Sequence, residues 1–160
     1  MKKIILLASI LVAAGCNVIG GYTVDWTPVD ITIEAYDADG NSIISPEMPG
    51  MTLTFKGQTY SVQRSPYDPP TKTYAAVLYG LVANPLAEGV YQLSFGEIDG
   101  AADMDEDILL NWPDGSEDVI HYHCSNHIAW PSPSCNRSWK LNGKKQDRSN
   151  FIFYNKSIPE

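Results

Sequence analysis

Short runs of alternating apolar and polar residues dominate this sequence, and a period of two commits them to β-strands. Successive side chains of a strand point to opposite faces, so alternation is what a half-buried sheet requires. In Val29–Ala35, the residues Val29, Ile31, Ile33 and Ala35 fall on one side and Asp30, Thr32 and Glu34 on the other. Asp37-Ala38-Asp39-Gly40-Asn41 then reads as a turn, since Asp, Asn and Gly favour turn geometry through local hydrogen bonds and positive φ. Met51, Leu53 and Phe55 alternate with Thr52, Thr54 and Lys56, and Tyr91, Leu93 and Phe95 with Val90, Gln92 and Ser94. Residues 74–82 form a nearly continuous apolar run, read as a more buried strand. Residues 65–70 are proline-dense, 84–89 read as a turn with one helical turn, and 97–107 as an acidic loop.

The punctuation between these runs predicts hairpins. Gly57-Gln58, with Gly first, suits a type II′ turn and would pair Lys56 with Thr59, Phe55 with Tyr60 and Leu53 with Val62. Residues 108–112 and 118–124 form a second pair. A five-residue loop, 113–117, would pair Leu110 with Ile120 and Ile108 with Tyr122. A four-residue loop would instead turn His121 and His123 inward; the first is preferred because it buries Ile and Tyr. Trp139 and Leu141 precede Asn142-Gly143, a type I′ signal, and residues 151–154 read as the last strand. The expected fold is therefore all-β: a β-sandwich of about seven to nine short strands, in which each sheet buries one apolar face.

The N-terminus has a different character. MKKIILLASILVAAGC has two lysines, an apolar run and then small residues, the layout of a secretory signal. The run of about 11 residues is shorter than the roughly 20 that a membrane-spanning helix needs. Ala13-Ala14-Gly15-Cys16 resembles a bacterial lipobox, with Ala13 where Leu is usual. That resemblance implies cleavage before Cys16 and lipidation of its thiol, with acyl chains that hold the protein on a membrane. The expected organisation is a signal over 1–15, a lipidated tether over 16–28 and one domain over 29–160. Without Lys2 and Lys3 the balance is nine basic against 19 acidic side chains, which opposes nucleic-acid binding. An exported chain with Cys124 and Cys135 besides Cys16 most simply forms one disulfide between them.

Two stretches resemble known families. Tyr79-Gly80-Leu81 followed by Gly89-Val90-Tyr91-Gln92-Leu93, with the Asp37 to Gly40 turn upstream, resembles the strand and turn of transthyretin-like and carboxypeptidase-regulatory-like sandwiches. The segments 29–40, 91–100 (YQLSFGEIDG) and 111–118 (NWPDGSED) resemble small lipoproteins of Bacteroidetes with uncharacterised domains; the last is similar to a corner of polycystin-type immunoglobulin modules. The resemblance implies an immunoglobulin-like or transthyretin-like sandwich at the outer membrane and transfers no catalytic residue. Asn17 to Gly21 lacks the acidic residues of surface-directed members, so the surface and periplasmic sides both stay open.

His121 and His123 would share one strand face about 6.6 Å apart, with His127 as a third zinc ligand at the strand end. The competing reading, which the sequence favours, has all three in solvent and Cys124 bonded to Cys135. Asp37, Asp39 and Asn41 resemble the start of a calcium loop, but Gly40 and Met48 stand at the wrong places, so an Asx-rich turn is expected. The acids Asp99, Asp103, Asp105, Glu106 and Asp107 are read as a solvated loop rather than a calcium site. Serine-hydrolase, zinc-protease, dinucleotide and phosphate-loop signatures are absent. The expectation is a non-enzyme without a bound cofactor. Tyr67 and Trp130 are candidate contacts, as aromatic rings on loops, and Trp112 and Tyr22 flank turns. The leading expectation is a binding or adhesion module for a glycan or an envelope protein. The alternatives are a structural component of the envelope and a metal-dependent enzyme at the His121/His123 face.

Overall fold

A computed structural model describes residues 29–65, 80–98, 103–127 and 133–158. These form ten strands and, among the described residues, no helix. In chain order they are β1 (Val29–Ala35), β2 (Thr52–Phe55), β3 (Gln58–Arg64), β4 (Leu81–Ala87), β5 (Val90–Ile98), β6 (Met104–Asn111), β7 (Glu117–His127), β8 (Ser134–Leu141), β9 (Lys144–Gln146) and β10 (Asn150–Phe153). The all-β class is as expected. The strand beyond the expected number is β9, whose Lys144-Lys145-Gln146 has no apolar alternation to reveal it. It forms because the turn at Asn142 and Gly143, both at positive φ, folds it back on β8.

All ten strands belong to one mixed, curled sheet in the order β10-β1-β5-β4-β3-β2-β6-β7-β8-β9. The curl turns at β3. Its first half, through Ser61, pairs antiparallel with β2, while Val62 to Arg64 pair parallel with Leu81 to Ala83 of β4. One strand thus serves two groups of neighbours, which is how a sheet makes a corner. The end strands β9 and β10 are joined by only Asp147, Arg148 and Ser149. Four Cα steps reach at most about 14 Å, so the two ends of the sheet are held near each other. They are not hydrogen-bonded neighbours.

The inward faces of the two halves share one core. Ile31, Ile33, Leu81, Leu93 and Phe95 come from β1, β4 and β5; Leu53, Phe55, Ile108, Leu110, Ile120 and Tyr122 come from β2, β6 and β7, all essentially without exposure. Aromatic pairs bridge the halves: Phe55 meets Phe95 edge-on at 5.7 Å, and Trp139 meets Phe151 at 5.8 Å. Each such pair contributes about 0.5–1.5 kcal/mol beyond the area it buries. Ile44, Met48 and Met51 add to the same core from outside the strands.

Both predicted hairpin registers are off by two residues. At β2–β3 the turn is Lys56-Gly57, not Gly57-Gln58, and Leu53 faces Tyr60 rather than Val62. Lys56 and Gly57 have φ of 49° and 75°, so the turn is type I′, whose twist suits the hairpin although Lys is not its usual residue. At β6–β7 the loop spans 112–116; Ile108 faces Ile120 and Leu110 faces Asp118. Trp112 is drawn into this loop, where its N–H donates to the Ser116 carbonyl at 2.9 Å and its ring is buried. A shift of two keeps every side chain on its face, so Ile120 and Tyr122 still point inward and His121 and His123 outward.

Two further expectations change. Residues 84–87 continue β4 and do not turn; the turn is Glu88-Gly89. Pro85 is tolerated because β3 pairs only as far as Ala83, so no ladder on that side needs its missing N–H. The acidic segment is not a loop throughout, because β6 begins at Met104 and carries Asp105 and Asp107 on its outward face. Residues 99–102 and 66–79 lie outside the described residues, which takes most of the 74–82 run out of view.

Candidate functional site

The outer face of β10, β1, β5 and β4 carries three polar clusters, with the apolar Val82 and the exposed Ile152 among them, and its register explains their placement. Thr32 stands between Asn150 and Ser94, and Ser94 faces Val82; in the next row Glu34 faces Ile152, and Gln92 faces Asn84. Because alternate residues share a face, the polar members of these strands collect on one surface. The Thr32 hydroxyl donates to Asn150 Oδ1 at 3.0 Å, and the Asn84 amide to the Ser94 hydroxyl at 2.7 Å. Glu34 holds the centre. Its Oε1 accepts from the Gln92 amide at 2.9 Å and its Oε2 from the Tyr36 hydroxyl at 2.8 Å.

An aromatic pair ends the surface. Tyr36 and Tyr154 stack with ring centroids 5.8 Å apart and planes inclined by 23°. Tyr154 is 66% exposed. One face of its ring rests on Tyr36, and the other is open to solvent. The hydrogen bond to Glu34 raises the Tyr36 pKa above its ordinary value, with burial adding to it, so this phenol stays a neutral donor. Leu86 and Val90, at the β4–β5 turn, are also exposed. The arrangement offers fixed amide, hydroxyl and carboxylate groups beside an open aromatic face. Such a surface can hydrogen-bond polyols and stack on their C–H faces at little ordering cost.

At the other end of β1 and β10, where the two sheet ends meet, lies a cleft of about 690 Å³. Its lining includes Trp139, Arg137, Lys145, Arg148, Ser149 and Asn150. Asn150 belongs to both the cleft and the polar face.

Of the residues singled out from sequence, Cys16, Tyr22, Tyr67, Asp99 and Trp130 lie outside the described residues. Trp112 is core: its indole N–H donates to Asp118 Oδ2 at 2.7 Å. Cys124 and Cys135 come together across β7 and β8 with sulfurs 3.5 Å apart, in contact but beyond the length of a disulfide. Burial, and then the Cys124 thiol, raise the Cys135 pKa.

His121 and His123 face outward opposite Asp107 and Asp105. His121 Nδ1 lies 2.8 Å from Asp107 Oδ1 and its Nε2 3.1 Å from Asp105 Oδ1; His123 Nδ1 lies 3.3 Å from the same Asp105 oxygen. His127 is four residues further along β7, about 13 Å from His123, so the three imidazoles do not converge. Among the described residues, no group of three or more His, Cys, Asp or Glu is arranged to hold a metal ion. The Asp37 carboxylate accepts from the N–H groups of Asp39 and Asn41 at 2.9 and 2.8 Å, the expected Asx turn. Asp103 accepts from the Asn126 N–H at 2.7 Å.

The contacts expected from sequence, Tyr67 and Trp130, fall in segments read as loops, whereas the polar clusters lie on a sheet face. Its signal was present in the polar half of each alternation: Thr32, Glu34 and Tyr36; Gln92 and Ser94. Which polar halves would lie side by side depends on strand order, which no single strand encodes. Compared with protein-family models, curated proteins and solved structures, the chain matches none.

Proposed function

We propose that this chain is an envelope lipoprotein, anchored at the outer membrane through Cys16, whose domain is a non-catalytic glycan-binding module. In this reading the curled sheet acts as a β-sandwich of the immunoglobulin-like or transthyretin-like kind, with sugars bound on its outer face. One observation carries it: the Tyr36–Tyr154 stack next to Glu34, whose two carboxylate oxygens hold Tyr36 and Gln92 in place. Polar groups already hydrogen-bonded to one another, beside a stacked and exposed ring, recognise polyols at a reduced cost of ordering side chains. Binding, not turnover, is favoured because the surface is open. A pair of carboxylates that hydrolyses a glycosidic bond faces the substrate from both sides, and Glu34 is engaged in holding its neighbours.

The test is a glycan array probed with the full-length protein in non-ionic detergent, followed by titration calorimetry on the hits. Tyr154→Ala should weaken binding about tenfold or more, the scale of a lost binding anchor, while the melting temperature stays within about 2 °C, as for an exposed side chain. Unchanged affinity in Tyr154→Ala and Gln92→Ala together would remove this face as the binding surface. Replacing Cys16 by Ser should release the protein from membranes; retention there would refute the lipid anchor.

A further inference from the structure

The charge of this acidic chain is sharply divided. Residues 137–160 carry six basic and two acidic side chains, while residues 1–136 carry five basic and 17 acidic. The fold gathers three of those cations, Arg137, Lys145 and Arg148, along the cleft between the two sheet ends. Asp147 is the one acidic residue among the described residues that line it. Lys145 and Arg148 are exposed, and Trp139 forms a nearly buried wall. At about 690 Å³ the cleft has the volume of a small-molecule site, enough for two or three sugar rings. Asn150 lines the cleft and also belongs to the polar face, where its Oδ1 accepts from the Thr32 hydroxyl at 3.0 Å; Tyr154 stands four residues further along the chain, about 13 Å away.

We propose that the cleft binds the carboxylate or sulfate groups of an acidic polysaccharide that runs on along β10, so that its neutral sugar faces reach the Tyr36–Tyr154 stack about 13 Å from Asn150. This rests on the glycan-binding reading above and specifies its substrate class. Three cations in one concavity create a local positive potential, which a low-dielectric wall such as Trp139 focuses. The cations favour anionic groups, and the concave shape favours a narrow, strand-like polyanion with spaced charges, which can reach them while keeping clear of the acidic remainder of the surface. A flat anionic bilayer would meet the acidic remainder of the surface, and repulsion would outweigh attraction at the cleft.

The experiment measures binding of the full-length protein, in non-ionic detergent, to matched pairs of polymers that differ only in charge. Polygalacturonate is compared with its methyl ester, and chondroitin sulfate with its desulfated form. The wild type should prefer the charged member of at least one pair by about tenfold or more, and the preference should shrink as salt rises from low to physiological strength. The double substitution Lys145→Gln with Arg148→Gln should abolish the preference and leave binding of the neutral member unchanged. Arg148→Lys, which keeps the charge, should retain it.

Equal binding of charged and neutral members, with both lost in Tyr154→Ala, overturns this inference and leaves the glycan-binding reading standing. No binding to any member overturns both. A preference that survives the double substitution overturns the role of the cleft and leaves its cations as guards of an exposed sheet edge. Binding to vesicles of anionic phospholipid that is lost in the double variant, without polysaccharide binding, overturns it in favour of the bilayer. A double variant that misfolds is replaced by Lys145→Gln alone, read against the same pairs.

Discussion

Lys156 Nζ lies 2.7 Å from Asp118 Oδ2, with both side chains only about a tenth exposed. This pair fastens the C-terminal segment to the start of β7. The same Asp118 oxygen accepts from the Trp112 indole at 2.7 Å, and Oδ1 accepts from the Asn142 amide at 2.6 Å. The ammonium of Lys156 also sits 4.9 Å above the Trp112 ring and donates to the Ser116 hydroxyl at 2.9 Å. One carboxylate therefore ties together the β6–β7 loop, the β8–β9 turn and the chain end. Asp118→Ala would leave a nearly buried ammonium, an indole N–H and an amide without their acceptor. The expected loss is about 3–5 kcal/mol, the usual cost of breaking a buried pair on one side. Lys156→Met should cost less, because Asp118 keeps its other two donors. Urea denaturation checks both; losses under 1 kcal/mol in each would show the network to be incidental.

The two thiols at the far end of β7 make a redox prediction. Cys124 and Cys135 approach to 3.5 Å, so a disulfide needs only a small adjustment of the side chains. In an oxidising compartment the bond should form, lower the intact mass by about 2 Da and stabilise the domain by about 2–3 kcal/mol for a loop of this length. The raised pKa of Cys135 keeps it a thiol at neutral pH, so direct alkylation of the reduced protein should be slow there. Mass spectrometry with and without reductant decides it. An intact mass that reductant leaves unchanged, in protein isolated from the envelope, would defeat the idea.

Acid should weaken the Asp37 turn in a defined direction. The Asn41 side chain, then backbone N–H groups, hold the Asp37 carboxyl below its ordinary pKa. A carboxyl depressed in the folded state contributes stability that is present above the unfolded value near 4 and lost as pH falls through the folded one. Asp37→Asn removes that titration. The variant should melt below the wild type at pH 7, and the gap should close as pH falls below about 4. A gap independent of pH from 7 to 2 would show that the charge on Asp37 does not matter to folding.

The β2–β3 turn holds a correctable misfit. Lys56 sits at φ of 49°, a left-handed conformation that Asn adopts more readily than Lys. Lys56→Asn should therefore raise stability by about 0.5–1 kcal/mol, chiefly by easing local backbone strain. Chemical denaturation measures it, and a loss of stability would mean that the Lys56 ammonium, 5.3 Å from the Phe55 ring, contributes more than the backbone gains.

What could be read in advance was the identity of faces, not of neighbours. Val29–Ala35 is a strand with the expected buried side, and the Asp37 and Asn142-Gly143 turns stand where their residues put them. Hairpin registers missed by two because Trp112 could be counted in the strand or in the loop, and Lys56-Gly57 could be counted as strand end or turn. Either count preserves alternation, so the sequence pattern does not distinguish them. Nothing in the alternation of Val29–Ala35 distinguishes Glu34 from Asp30; its role comes from Gln92 and Tyr36, which donate to its two carboxylate oxygens.

Local chemistry alone determined the all-β character, the polarity of each strand face and most turns, because alternation and turn propensity act over a few residues. The order β10-β1-β5-β4, the corner at β3, the cleft between the sheet ends and the Glu34 network were decided only by the folded chain. They depend on pairings as distant as Thr32 with Asn150. Such pairings are chosen by the joint burial of many apolar faces, a property of the whole domain that no single strand carries.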